Sequence, residues 1–451
     1  MKKFVVLLCV LCMAFIVAAC ESDTVEGAGG HTHYFSSASC SQPETCFVCG
    51  MTRGTTLDHT FVLGVCTECD AYSEFDCPTL CFDGNMSGMV SKEDVKKVKF
   101  EYRTKEQTIS GYAKIKFQGS SSMAYEKKNY TINLYENQEC SQKMGLDVGW
   151  GEQNKYCLKA NWVDKTHARN IVTAKLAGEV QKKYGLLDVA PNNGAIDGFP
   201  IAVYINGSFQ GLYTMNIPKD AWMFAMDEDN PNHIVIAGDS WNDPVLFKEI
   251  PTDFSDWALE VGQENEETLQ KVQRLIAFVR DSSDKEFKNN FEQYLNLDAT
   301  LNYYVMMDYC WMYDNTGKNM LLATYDGNVW YPTLYDLDTT WGTTYNGKGL
   351  TEYEDELLSV SNNRLWKRFG ELYKKEIAER YFELRATLLD TEYVMAKFNE
   401  FHNSIPEELL TYETEKWDKE EAPTPGYPLS QIQEYLDSVI PRLDAKYTEW
   451  K

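Results

Sequence analysis

The stretch that decides the fold of this chain runs from residue 314 to residue 342 and reads DNTGKNMLLATYDGNVWYPTLYDLDTTWG. Two apolar, strand-like runs flank the dipeptide Gly327-Asn328, which predicts a β-hairpin. A hairpin returns its two ends to the same place, so the side chains that flank it are expected to meet. Four oxygen-bearing residues stand at those ends: Asp314, Asn319, Asp336 and Asp338.

Carboxylate and amide oxygens in this layout predict a divalent-metal site. Such oxygens are the ligands that Mg²⁺ prefers, and a neighbouring aspartate can orient an attacking hydroxyl in phosphoryl transfer. An EF-hand loop is excluded, because Trp341 and Gly347 stand where that loop needs glycine and glutamate. Two alternatives stay open: a glycosidase carboxylate pair, or aspartates that only cap turns.

Outward from this hairpin, the chain changes character from strands to helices. The first half carries strand patterns at 95–104, 112–119 and 128–136, a helical stretch at 165–184, and a hairpin at 199–217 around Asn206-Gly207. Helical spacing of apolar residues follows at 264–281, 285–294, 298–312, 362–410 and 429–450. This order predicts an α+β domain with a β-rich first lobe, an α-rich second lobe and a cleft between them.

Two further segments offer groups that suit an anion. Gln118-Gly119-Ser120-Ser121-Ser122 follows a strand, and small residues there let backbone N–H groups approach phosphate oxygens. It lacks the spacing of a Walker loop, and an ordinary turn is the alternative. The candidate donors are Ser120, Ser121, Lys127, Lys128, Lys159, Arg169 and Asn170, with surface solvation as their plainer role, while Asp164 is expected to cap the helix after it.

The N-terminus predicts export. Residues 1–20 combine a basic start, an apolar run and the sequence Val17-Ala18-Ala19-Cys20, which is typical of a lipoprotein signal in which Cys20 receives lipid. The alternative is a plain membrane anchor, but the apolar run of roughly 16 residues is shorter than the ~20 that span a bilayer. The expected location is extracytoplasmic, with the chain held to the bacterial cell membrane by that lipid.

Composition and charge limit the classes of partner that the protein is expected to bind. The chain has 451 residues, 43% of them hydrophobic, and its 68 acidic and 43 basic residues give a formal net charge of −25. Such a surface repels nucleic acid, so no nucleic-acid partner is expected, and an anionic substrate needs a locally basic pocket. We expect three parts: a signal at 1–20, a cysteine-rich module at 21–82 and one large domain at 83–451.

The cysteine-rich module predicts a zinc ribbon. Two Cys-x2-Cys knuckles are separated by sixteen residues, a spacing that suits one tetrahedral four-thiolate Zn²⁺ site. Disulfides are the alternative, because exported proteins usually oxidise their cysteines. The expected ligands are Cys46, Cys49, Cys66 and Cys69, with His33, Cys40 and His59 as substitutes. Its expected role is spacing or partner contact.

The order of these segments and their amino-acid sequences resemble the spore coat protein H (CotH) kinase family over roughly residues 95–450. Four segments carry the resemblance: KIKFQGSSSMAYEKKNYTINLY, CLKANWVDKTHARNIVTAKL, IAVYINGSFQGLYTMN and MMDYCWMYDNTGKNMLLATY with VWYPTLYDLDTTWG. The resemblance implies an atypical protein-kinase-like fold and ATP-dependent, Mg²⁺- or Mn²⁺-assisted phosphotransfer to Ser or Thr hydroxyls of a protein substrate.

The resemblance also implies roles for residues. Asp314 would be the catalytic aspartate, and Asn319, Asp336 and Asp338 would hold the metal, while Lys127 or Lys128 would contact phosphate. One departure stands out: many members carry arginine where this chain has Gln118, which costs one phosphate-facing charge. The opposing hypothesis is therefore a non-catalytic surface binding or scaffold lipoprotein that uses the same fold.

Overall fold

The computed structural model describes residues 31–69, 71–345, 347, 362–417 and 429–451. The expected signal and lipid site at 1–20 lie outside this part of the chain. Within it, no helix combines the length and the apolar character that crossing a membrane requires. The chain divides into two compact units, residues 1–74 with 207–209, and residues 75–206 with 210–451.

The first unit contains two very short hairpins. Each strand is two residues long, and the strands pair antiparallel within each hairpin. They are β1 Glu44–Thr45, β2 Thr52–Arg53, β3 Phe61–Val62 and β4 Val65–Cys66. Elements this short cannot bury a hydrophobic face of their own.

The second unit begins with a closed barrel of seven strands among the described residues, in the order β11-β13-β12-β5-β6-β7-β8. All neighbouring strands are antiparallel except β5 and β12. A small hairpin of β9 and β10 interrupts the sequence. The strands are β5 Thr79–Asp83, β6 Lys96–Arg103, β7 Thr108–Gln118, β8 Asn129–Tyr135, β9 Leu146–Asp147, β10 Glu152–Gln153, β11 Lys155–Lys159, β12 Gly198–Ile205 and β13 Ser208–Asn216.

Alternating side chains fill the barrel interior. On β6, Val98, Phe100 and Tyr102 are buried while Lys97 and Lys99 face outward, as expected for a strand with one buried face. Because β5 is part of the barrel, the large unit begins at Phe75, several residues before the boundary that the sequence placed after residue 82.

The rest of the second unit is mainly helical and holds a four-stranded sheet in the order β15-β14-β16-β17. The strands are β14 Ile234–Gly238, β15 Trp257–Val261, β16 Leu321–Thr324 and β17 Tyr331–Thr333. The helices of the described residues are α1 Arg169–Lys183, α2 Glu266–Asp281, α3 Asp284–Asn290, α4 Leu297–Tyr309, α5 Arg364–Leu372, α6 Lys374–Arg385, α7 Thr391–Asn403, α8 Glu407–Trp417 and α9 Leu429–Trp450.

Side-chain caps fix where many helices begin. Asn, Ser and Asp side chains accept hydrogen bonds from backbone N–H groups that the first turn leaves unpaired. The N-cap residues of this kind are Asn265, Ser283, Asn296, Asn363 and Asp390. Helix α4 is buried along most of its length, which explains its apolar sequence all round.

The α+β class predicted from the sequence is confirmed, with strands first and helices second. Both predicted hairpins form, and Asn206 and Gly207 take φ angles of 51° and 71°, the mirror-image turn that this dipeptide favours. Helix α1 begins at Arg169, four residues later than predicted. The Asp164 carboxylate accepts a hydrogen bond from the Arg169 backbone N–H at 2.8 Å, which holds the residues between them in a turn. The first half is a closed barrel, which the strand patterns alone did not indicate.

Candidate active site

The loop between α4 and β16 is joined to the far end of the hairpin by one asparagine. Asp314 lies in a single 3-10 turn, Asp314–Thr316. The buried side-chain amide of Asn315 donates to the carbonyl of Asn319 at 3.3 Å and to the carbonyl of Tyr335 at 2.7 Å. The two ends of the predicted stretch are therefore brought together, with Asp314 at one end and Asp336 at the other.

Helix α1 positions the Asp-x-Asp segment. The Asn170 side-chain oxygen accepts a hydrogen bond from the Leu337 backbone N–H at 3.0 Å, between the two aspartates. The Trp341 indole donates to the Thr173 hydroxyl at 2.7 Å. Asp336 itself has a φ of 58°, a conformation that non-glycine residues seldom adopt. The hydrogen bond from Leu337 to Asn170 holds this backbone in place and so fixes the positions of Asp336 and Asp338 on either side of Leu337.

The barrel supplies a lysine to this site. Lys159, at the end of β11, places its Nζ 3.3 Å from the Asp336 carboxylate. It also lies over the ring of Tyr335, as does Lys219, with distances of 5.5 and 4.7 Å to the ring centre. Burial alone would lower the pKa of Lys159, but Asp336, Tyr335 and other negative neighbours together outweigh burial and raise that pKa. Lys159 is therefore a charged group that faces the acidic residues.

The acidic residues repel one another. Burial and the charge of Asp336 raise the pKa of Asp314, against the opposite effect of Lys318. Burial and the same neighbour raise the pKa of Asp338 to about 8. Carboxylates that interact in this way favour a bound cation or a shared proton. The donor set consists of oxygens, which suits Mg²⁺ or Mn²⁺.

These carboxylates do not form a complete protein cage. Among the described residues, the three aspartates do not bring three ligand oxygens within 4.8 Å of one another. Mg²⁺ sites in phosphotransferases usually take one or two carboxylates and complete their shell with water and substrate phosphates. The arrangement therefore fits a metal that arrives with a polyphosphate better than one that is held permanently.

The predicted Gly-Ser segment forms a loop next to Lys159. Gly119 has a φ of 111°, and a Cβ there would lie 2.0 Å from the Ser122 hydroxyl, so glycine is required. The Asn129 side chain joins the loop to the lysine strand: its amide donates to that hydroxyl at 3.2 Å, and its oxygen accepts from the Ala160 N–H at 2.7 Å.

The same loop leaves its outer residues available. Ser120 and Ser121 are exposed. Burial and the charge of Asp338 raise the pKa of Tyr125, so the end of the loop comes close to the acidic residues. The Gly-Ser segment, Lys159 and the aspartates thus belong to one region of the molecule.

Three other predicted basic donors are bound elsewhere. The buried Lys127 ammonium donates to two carbonyls and to Glu413 at 2.6 Å, which uses all three of its N–H groups. Lys128 donates to the carbonyls of Met123 and Tyr125. Arg169 is buried and pairs with Asp164. Lys159 is the predicted basic residue that the structure brings to the aspartates.

Gln118 carries no charge, and its polar groups are directed within the barrel. Its side-chain amide donates to the sulfur of Cys157 at 3.2 Å, and its buried side-chain oxygen has no hydrogen-bond partner. Among the described residues, Lys159 and Lys219 are the cations over the ring of Tyr335.

Several supporting residues were missed by the sequence analysis. Gly238 lets the loop that carries Asp314 approach β14, since a Cβ there would lie 2.4 Å from the Gly317 carbonyl. Asn363 donates to the Thr316 carbonyl at 2.8 Å from the start of α5. Asn315 and Lys219 complete this set. The available signals were weak: a glycine that ends the apolar run IVIAG, and asparagines beside a helix start or an aspartate.

The four cysteines predicted to share one zinc site are divided between two groups. Cys46 and Cys49 lie with His31 and His33, whereas Cys66 and Cys69 lie with Cys40 and His59. Each knuckle has its own histidine earlier in the chain, since His33 precedes Cys46 and Cys49 and His59 precedes Cys66 and Cys69. The histidines noted as substitutes are thus placed as full members of the two groups.

A separate cavity of about 630 Å³ lies elsewhere in the second unit and does not include the aspartates. Two ion pairs lie in its lining, Lys175 with Asp197 at 3.2 Å and Lys397 with Glu179 at 2.7 Å, and Asp76 and Glu400 line it as well. Because the cavity does not contain the aspartates of the candidate site, we assign it no role in the chemistry.

Comparison with known proteins agrees with this geometry. No curated protein matches the chain. The profile of the CotH kinase protein family matches residues 115–440, which is well over half of the chain and runs from within β7 into α9. The matched region contains the Gly-Ser loop, Lys159, the aspartates and the helices that hold them. On this evidence the chain belongs to the CotH kinase protein family.

Proposed function

We propose that this protein is a kinase that transfers the γ-phosphate of ATP to Ser or Thr hydroxyls of a protein substrate, with Mg²⁺ or Mn²⁺. The observation that carries the proposal is the Lys159–Asp336 contact of 3.3 Å, which joins the barrel to the helical half beside Asp314. A cation for phosphate, oxygens for metal and a carboxylate for the nucleophile are the parts that phosphoryl transfer needs.

The residues divide these tasks by position. Asp336, Asp338 and Asn319 would hold the metal, which neutralises phosphate charge when bound. Lys159 binds phosphate oxygens, and Ser120 and Ser121 lie on the loop that faces the same region. Asp314 orients the substrate hydroxyl and accepts its proton as the new O–P bond forms and the bond to ADP breaks. The barrel and the helical half then act as the two lobes of a kinase-like cleft.

We further propose that the protein works outside the cytoplasm, held to the cell membrane by lipid on Cys20. The support is the signal-like sequence of residues 1–20. The partner is a protein substrate at the same surface.

The first experiment measures phosphate incorporation from radiolabelled ATP by the full chain with Mg²⁺. Asp314→Ala is expected to lower incorporation at least 100-fold, since a positioned base contributes about 10²–10⁴-fold. Asp229→Asn, on an exposed loop, is the matched control and should keep full activity. Wild-type activity in Asp314→Ala would show that this residue is not catalytic.

A scaffold role is the second candidate. It is favoured by Gln118, which contributes no charge, and by the internal contacts of Lys127, Lys128 and Arg169. If the wild-type chain phosphorylates neither itself nor surface proteins of the cell that makes it, with Mg²⁺ or with Mn²⁺, the scaffold function replaces the kinase function.

A further inference from the structure

We infer that the cysteine-rich head, residues 31–74, binds two zinc ions at two sites with different donor sets. The first site has two nitrogens and two sulfurs, and the second has one nitrogen and three sulfurs. The inference does not depend on the kinase function. The donors are His31, His33, Cys46 and Cys49 at the first site, and Cys40, His59, Cys66 and Cys69 at the second.

The distances at the first site match a tetrahedral ion. Its four ligand atoms all lie within 4.8 Å of one another. His33 Nδ1 lies 3.3 Å from the sulfur of Cys46 and 3.3 Å from that of Cys49. Zn–S and Zn–N bonds of about 2.3 and 2.0–2.1 Å give a nitrogen–sulfur edge of about 3.6 Å in a tetrahedron. The observed edges are close to that value.

The second site has the same dimensions. The sulfurs of Cys40 and Cys66 are 3.6 Å apart, and the Cys69 sulfur is 3.4 Å from His59 Nδ1. A tetrahedral zinc requires a sulfur–sulfur edge of about 3.8 Å. A disulfide would need the two sulfurs at about 2.05 Å.

The backbone of both knuckles is shaped to present two sulfurs. In the first, the Gly50 N–H donates to the Cys46 carbonyl at 2.9 Å, and Gly50 takes a φ of 73°. In the second, the Glu68 N–H points at the Cys66 sulfur at 3.5 Å. N–H groups directed at sulfur favour the thiolate form that zinc needs.

The head lacks a hydrophobic core that could hold these loops. Between residues 31 and 74, the buried side chains among the described residues are those of His33, Cys46, Cys66 and Ser73. Its large apolar residues are outside, with Phe47 72% and Val48 62% exposed. A module of this size needs metals or disulfides for stability. Here the ligands themselves are the core.

The histidines decide between metal and disulfide. A disulfide framework gives a histidine nothing to bind, whereas each cluster contains at least one. In the first cluster the Nε2 atom of His31 is buried and has no hydrogen-bond partner. Such an atom costs free energy unless something binds it, and a zinc ion beside Cys46 and Cys49 would do so.

The two sites are interlaced in sequence. Cys40 precedes the first knuckle, yet its sulfur lies with the second knuckle, 3.6 Å from Cys66. The loop from His33 to Cys46 therefore contains Cys40 of the second site, and the loop from Cys40 to His59 contains Cys46 and Cys49 of the first. This distinguishes the arrangement from one four-thiolate ribbon, in which Cys40 binds nothing.

Zinc content of the full chain, purified without chelators, tests the inference. Elemental analysis is expected to give two zinc ions per chain. The paired substitutions Cys46→Ser with Cys49→Ser, or Cys66→Ser with Cys69→Ser, should each leave one. Cys40→Ser should weaken one site only, and Cys140→Ser in the barrel domain is the control that keeps both. One zinc per chain, or full zinc binding by Cys40→Ser, would overturn the assignment.

Cobalt gives a second measurement that needs no variant. Cobalt(II) titrated into the metal-free wild-type chain should saturate at two equivalents. The sulfur-to-cobalt absorbance per chain should correspond to five thiolates, 1.25-fold that of a four-thiolate ribbon. Saturation at one equivalent contradicts the inference, as does the absence of free thiols in the metal-free chain, which would indicate disulfides.

Discussion

Lys127 and Lys159 show how the surroundings of a side chain decide its task. Lys127 lies just before β8 and Lys159 ends β11, and both are candidates for phosphate binding. The Lys127 ammonium is enclosed by two carbonyls and Glu413, whereas Lys159 contacts Asp336 at the edge of the barrel. The sequence identified the residue type that the site needs, but the choice between lysines depends on acceptors that come from residues 160, 212 and 413. Such long-range partners cannot be obtained from local patterns.

Lys159→Met is expected to lower kcat/KM for ATP by about 10- to 100-fold, because a hydrogen bond to a charged group contributes about 1.5–3 kcal/mol. Initial rates measured against ATP concentration give this value. Lys143→Met, at an exposed position on the same half of the chain, should leave the rates unchanged. Equal loss in both variants would mean that general charge, and not the position of Lys159, matters.

His167 makes the stability of the second unit sensitive to acid. It is buried, its φ is 56°, and its Nδ1 has no hydrogen-bond partner. Burial lowers its pKa well below 6.5, and the charged groups facing it, Lys127, Lys165 and His402, lower it further. Below pH 6.5 the unfolded chain takes up a proton that the folded chain refuses. Stability is therefore lost as pH falls, by up to about 1.4 kcal/mol per pH unit.

Chemical denaturation at pH 7 and pH 5 measures this effect. His167→Asn, a residue that tolerates positive φ, should reduce the difference in unfolding free energy between the two pH values. His233→Asn, a histidine elsewhere in the same unit, is the control. An unchanged difference in the His167 variant would assign the acid sensitivity to other groups.

At the scale of elements, helix α8 is fastened to the barrel by one acidic side chain. Glu413 binds the Lys127 ammonium at 2.6 Å and the Leu212 backbone N–H at 2.7 Å, and Trp417 donates to the Gln210 carbonyl at 2.9 Å. The helical pattern of α8 was visible in the sequence, but its partner was not. A periodic pattern indicates which face is apolar without saying which strand covers it.

Glu413→Ala is expected to cost about 3–5 kcal/mol of unfolding free energy, because it leaves the Lys127 charge buried without its counter-ion. Glu415→Ala, exposed on the same helix, should change stability by less than about 0.5 kcal/mol. Urea unfolding of both variants provides the comparison. A loss of unfolding free energy well below about 3 kcal/mol in Glu413→Ala would show that Lys127 gives up its proton or reaches solvent.

The hairpins were the most predictable elements. Asn206-Gly207 forms its own two-residue turn, and Gly327-Asn328 lies in the short loop between β16 and β17, so local sequence was sufficient in both cases. Strands β14 and β15 were not predicted, since each is a short apolar run whose pairing joins residues far apart in the chain. The site shows the same contrast between local and long-range structure. Its aspartates flank one hairpin and were predicted together. The contacts of Asn170 with Leu337 and of Asn363 with Thr316 come from other elements and were not predicted.

For the whole molecule, the acidic composition limits the classes of partner. The net charge of −25 disfavours approach of polyanions in general. The two lysines near Tyr335 are each paired with a carboxylate, Lys159 with Asp336 at 3.3 Å and Lys219 with Glu260 at 2.6 Å. An anionic ligand of the proposed kinase would therefore need its metal ion to balance the charge of the aspartates. The α+β class followed from the order of patterns, but closure of the barrel did not, because no local signal states that the first and last strands of a sheet meet.

During synthesis, the barrel cannot close until β12, the parallel partner of β5, has been made. Strand β5 is the first strand of the barrel to leave the ribosome, and its parallel partner β12 ends about 120 residues later. At 5–20 residues per second, the buried face of β5 lacks its partner for roughly 6 to 24 seconds. Leu80 and Phe82 are buried in the finished barrel, and Ile201 and Val203 of β12 belong to the core around them. The nascent chain therefore depends on chaperones or on fast β5–β6 pairing to avoid aggregation before it is complete.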